Sequence, residues 1–67
     1  MVEIIEQACG YVVESALYRD TFQCKANALR AARILATAEA VMSDHDVAVW
    51  VPMGNGETVR LDVLAHA

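Results

Sequence analysis

The sequence is short of most features that announce chemistry. Its soft donors are Cys9, Cys24, His45 and His66. None of them forms a CxxC, HxxH or HExxH pair, so no metal centre is expected. No run of about 20 apolar residues is present, which argues against a membrane-spanning helix. No signal peptide is recognised, and two thiols make no disulfide framework. The expected state is therefore reduced cysteines in a cytoplasmic protein, with a Cys9–Cys24 disulfide as the minor alternative. Bases are scarce too. Five Lys and Arg face nine Asp and Glu, for a net charge of −4, which makes direct nucleic-acid binding a poor fit. Glycine and proline are few and sit at Gly10, Pro52, Gly54 and Gly56. Nothing repeats, and no linker stands out.

What is present is a small apolar chain. Sixty-seven residues make a single domain, 1–67. A chain of this length buries only about 60% of its unfolded surface, and a core of this size rarely supplies more than about 3–5 kcal/mol without a staple. Yet 57% of its residues are hydrophobic. Extra apolar residues on so small a core favour self-association or a partner.

The last third, Asp46 to Leu64, reads as a β-hairpin with one apolar face. Val47, Val49 and Val51 alternate with Ala48 and Trp50, and Val59, Leu61 and Val63 alternate with Arg60 and Asp62. A two-residue Asn55-Gly56 turn would set Val51 opposite Arg60 and mix the faces. A three-residue loop, Gly54-Asn55-Gly56, sets Val51 opposite Val59, Val49 opposite Leu61 and Trp50 opposite Arg60. A one-residue slip turns a whole apolar set to water, so the longer loop is preferred.

Between Lys25 and Met42 there are seven alanines and no glycine or proline, so a helix is expected there. At about 100° per residue, Ala28, Ala31, Ala32, Leu35 and Met42 share one stripe, with Arg30, Arg33 and Thr37 opposite. Small alanines permit close approach to a sheet. Ile34 and Val41 widen the apolar surface beyond what one sheet contact requires.

The first third admits two readings. Ile4/Ile5, Ala8/Cys9, Val12/Val13 and Ala16/Leu17 recur every four residues, as in an amphipathic helix. Gly10 and Tyr11-Val12-Val13 favour strands instead: Val2 to Gln7, a turn at Ala8 to Gly10, then Tyr11 to Ser15, with Leu17 to Phe22 extending the second strand toward the helix. The preferred fold class is α+β, a small antiparallel sheet with one main helix on one face in the order ββαββ. The alternative is ααββ.

Gly10-Tyr-Val-Val-Glu14, Thr21-Phe22-x-x-Lys25-x-x-Ala28-Leu-x-Ala31-Ala32 and the glycine-centred hairpin resemble a group of small ββαββ proteins. Many of these are carried by phages or prophages, and some anti-CRISPR inhibitors share the layout. The resemblance covers most of the chain but rests mainly on packing residues. It implies an inhibitor-like binding protein and supplies no catalytic residue.

The remaining chemistry is thin. Cys24 at a helix start is a candidate for a lowered thiol pKa. A Cys–His nucleophile would need a base beside it, however, and His45 lies at the other helix end, about 30 Å away. His66 is next to the terminus. Cys9 is read as a small buried residue. Asp44-His45-Asp46 has too few ligands for a dedicated cation site, and Gly54 to Gly56 is a turn rather than a phosphate cradle. No enzyme, cofactor or metal is therefore expected.

Trp50 is the exception. On a hairpin whose valines face the core, it points the other way, beside Arg60 and Asp62. Tryptophan and arginine are enriched among interface anchors, although Arg60 stacked on a surface Trp50 would account for it too. Under the strand reading, Tyr11, Tyr18 and Glu14 join Trp50, Arg60 and Asp62 as candidate partner-binding residues. The expected role is a small acidic, non-enzymatic interaction protein that occludes a basic, normally nucleic-acid-binding surface of a host protein or ribonucleoprotein. A homodimeric structural or adaptor module is the alternative.

Overall fold

The computed structural model describes residues 1–16 and 18–65. Its elements run β1 (Val2–Gln7), β2 (Gly10–Ser15), β3 (Tyr18–Phe22), α1 (Lys25–Ser43), β4 (Val47–Pro52) and β5 (Thr58–Val63). The first third is thus strand, and the ααββ alternative is set aside. The fold is α+β, with one helix on one face of a sheet ordered β3-β2-β1-β4-β5. It differs from the expected layout in two ways: there are five strands, and the sheet is mixed. Tyr18–Phe22 is a separate edge strand paired with β2, not a continuation of it. Leu17, the first residue of the expected extension, lies outside the described residues.

The parallel contact follows from chain direction. β1, β2 and β3 form an antiparallel meander, so β3 runs the same way as β1. The 19-residue helix then carries the chain back across the sheet, spanning roughly 28 Å at 1.5 Å per residue. β4 therefore starts at the same end as β1 and pairs with it in parallel, Val2 beside Val49. Parallel neighbours require such a crossover.

Val2, Ile4, Val13, Val47, Val49 and Val51 face the helix and bury against Ala28, Ala32, Ala36 and Ala40. Tyr11, Phe22, Leu29, Leu35 and Val63 pack around this cluster. Among the described residues no fully buried side chain is larger than valine, so the core they form is thin, and the alanines let the helix approach closely. The buried stripe is rotated from the expected one. Ala36 and Ala40 replace Ala31 and Leu35 at the centre, and Met42 is 87% exposed. The smallest residues, spaced by four, win the contact because they cost the least separation.

The hairpin forms with the expected register: Val51 opposite Val59, Val49 opposite Leu61 and Trp50 opposite Arg60. The Met53 amide bonds to the Glu57 carbonyl at 2.9 Å, closing the Gly54-Asn55-Gly56 loop. Both glycines take positive φ, 83° and 85°, where other residues are strained. The helix covers only the middle of the sheet. Val59 and Leu61, on the edge strand, remain 42% and 40% exposed although they belong to the apolar face.

Candidate interaction face

The sheet face opposite the helix is open. Strand alternation places Glu3 and Ile5 of β1, Val12 and Glu14 of β2, Arg19 and Thr21 of β3, Ala48 and Trp50 of β4, and Arg60 and Asp62 of β5 on it. The pairing aligns one residue from every strand at a single level. Arg19 sits beside Glu14, Glu14 beside Glu3, Glu3 beside Trp50 and Trp50 beside Arg60. At about 4.8 Å per strand, this row crosses roughly 19 Å of sheet.

The two ends of the row are compensated. Arg19 Nη1 lies 3.6 Å from Glu14 Oε2. Arg60 Nε donates to Asp62 Oδ1 at 2.9 Å, and its guanidinium carbon stands 5.8 Å from the centre of the Trp50 ring. Such exposed contacts are individually weak, about 0–1 kcal/mol each. The middle of the row is different. Glu3 and Glu14 are direct cross-strand partners, and like charges so placed repel. Glu3 has no cationic partner among the described residues. The two glutamates line a shallow depression with Met1, Ser15 and Ala16. One step along the sheet, Val12 lies between Ile5 and Thr21. Val12 is only 2% exposed, so it forms an apolar floor on a face that carries no helix.

Trp50, Arg60, Asp62 and Glu14 therefore come together as the sequence suggests. Tyr11 and Tyr18 do not join them. Tyr11 is two residues from Val13 and packs on the helix side. Tyr18 pairs with Ser15 on that same side, where its hydroxyl donates to Asp20 Oδ2 at 3.2 Å. Limited burial first, and then Asp20, raise the Tyr18 pKa above its ordinary value. The aromatic content of the open face is Trp50 alone. Glu3, which sequence reasoning passed over, takes the central place. Its only sequence signal is an acid set among Val2, Ile4 and Ile5.

The other candidates are dispersed. Cys9 is exposed in the β1–β2 turn rather than buried, and both thiols are free. The turn has no second layer to cover it. Cys24 occupies the N-cap of α1 in extended conformation. Its thiol makes no capping hydrogen bond, yet the Asn27 and then the Ala26 backbone amides beside it lower its pKa, slightly opposed by desolvation. Asp44 ends the helix in the left-handed region at φ 58°. Asp46 Oδ1 accepts a bond from the Ala65 amide at 3.0 Å, tying the end of the hairpin to the helix exit. His66 lies outside the described residues. Among the described residues no group of three or more His, Cys, Asp or Glu side chains could hold a metal ion. No described helix is long and apolar enough to cross a membrane. Comparisons with protein-family models, with curated proteins and with solved structures return no match.

Proposed function

We propose that this chain is a non-enzymatic interaction protein that docks the open face of its sheet onto a basic surface of another protein. One observation carries the reading: Glu3 and Glu14 stand side by side at the centre of a five-strand row, next to the only tryptophan. Two adjacent carboxylates that share one cation, Arg19 on Glu14, beside a half-buried indole suit a lysine or arginine that enters at Glu3 and lays its stem against the ring. The net charge of −4 steers such a partner in from a distance. A nucleic-acid-binding surface has the required positive groups. In its sharpest form the proposal is an inhibitor that occupies that surface in place of nucleic acid, as the resemblance to small phage-borne inhibitors implies.

The test is capture from extracts of the cells that make the protein, with wild type and variants immobilised in parallel. A protein retained at low salt should be released at moderate ionic strength. Its retention should fall at least about tenfold for Trp50→Ala and for Glu3→Gln combined with Glu14→Gln, the loss of ~1.4 kcal/mol or more. Retention that ignores both salt and these substitutions would refute the reading.

A further inference from the structure

The helix carries a second apolar face that its own sheet does not use. Ile34 is 65% exposed, Val41 68% and Met42 87%. With Leu29, Arg33 and Ala38, these residues border an open recess of about 870 Å³ along the outside of α1. Ile34 and Val41 are seven residues apart with small Ala38 between them, the spacing of a helix–helix seam. A helix apolar on both sides is one made to be covered on both sides.

Charge says what covers it. Arg30 and Arg33 border the recess in the first half of α1, while Asp44 and Asp46 lie at its C-terminal end and just beyond it. This runs against the helix's own dipole: α1 has no acid in its first turn and no base in its last, the reverse of the favourable placement. A second copy of the same helix laid antiparallel repairs the mismatch. Each copy's basic half then meets the other's acidic, carbonyl-rich end. A parallel copy would set like charge on like.

We infer that the outer face of α1 is a twofold homodimer interface in which two helices cross antiparallel near Thr37 and Ala38. Such an interface is self-complementary, so each contact occurs twice. Crossing there sets Ile34 of one copy against Val41 of the other and brings Arg30 to the Asp44–Asp46 turn. Ala38 lets the axes approach to the short end of the roughly 8–10 Å range. The surface is separate from the Trp50 face, so the dimer presents two docking faces outward.

Sedimentation equilibrium of the full chain from low to high micromolar concentration tests this. Wild type should be dimeric at high micromolar concentration, and Ile34→Glu or Val41→Glu should weaken association at least about tenfold while circular dichroism stays unchanged. These positions are exposed in the monomer, so two independent variants guard against a folding artefact. Arg30→Glu should weaken the dimer too, whereas Trp50→Ala should not. Orientation is read by disulfide trapping in a Cys9→Ser, Cys24→Ser background. Ile34→Cys mixed with Val41→Cys should give mainly the 34–41 crosslink. A monomer at all concentrations, a dimer indifferent to Ile34 and Val41, or trapping dominated by 34–34 and 41–41 links would each overturn the inference. A monomeric result would leave the open sheet face, and its own test, untouched.

Discussion

Gly10 shows how a single position constrains this fold. It opens β2 with φ of 154°, a region that disfavours side chains. A Cβ there would lie 2.5 Å from the Phe22 carbonyl oxygen on the neighbouring strand. Gly10→Ala must therefore push β3 away or break the first β2–β3 pair. We expect a loss of about 1–3 kcal/mol, seen as a lower midpoint in urea unfolding; an unchanged midpoint would contradict the geometry. In the sequence Gly10 reads as a turn marker, which is correct but incomplete, because the steric reason lies on a strand twelve residues further on. The direction of Trp50 was legible because alternation against three buried valines leaves it only one side. The sides of Tyr11 and Tyr18 were not. Tyr11 takes its side from Val13, and in Tyr-Val-Val the apolar run does not say which valine faces the helix. Both valines prove buried, on opposite faces.

Among the elements, the hairpin and the helix were the most readable, since each carries its own periodicity and turn chemistry. β3 was not. Tyr-Arg-Asp-Thr-Phe shows no clean alternation, because an edge strand beyond the helix's cover has little to bury on either side. The parallel β1–β4 contact leaves no local trace either; it follows only from counting three strands before the crossover. The rotation of the helix is likewise a property of the assembled interface. It gives a prediction at this scale. Ala36 is fully buried where α1 meets the sheet, and leucine is nearly as good a helix former as alanine. Propensity alone would make Ala36→Leu almost neutral. The close helix–sheet contact instead predicts overpacking worth about 1–3 kcal/mol. Thermal unfolding decides between them: a substantially lower Tm supports the close contact, and an unchanged one argues against it.

At the scale of the molecule, the two faces have different characters and different origins in the chain. The outer helix face is local, written within one element, and its charge order can be read along the sequence. The open sheet face is assembled from five strands. Its row of Arg19, Glu14, Glu3, Trp50 and Arg60 exists only once four registers are set, which is why Glu3 could not be singled out beforehand. The acidity of the whole chain adds a long-range term to both surfaces, screened beyond about 10 Å at 0.1 M salt. The most direct test of the central claim is a nuclear magnetic resonance titration of the labelled protein with a short arginine-rich peptide at rising ionic strength. The account predicts shifts concentrated on the amides of Glu3, Glu14 and Arg60 and on the Trp50 indole, fading as salt increases. Shifts confined to the Asp44–Asp46 turn, or no shifts at low salt, would contradict it.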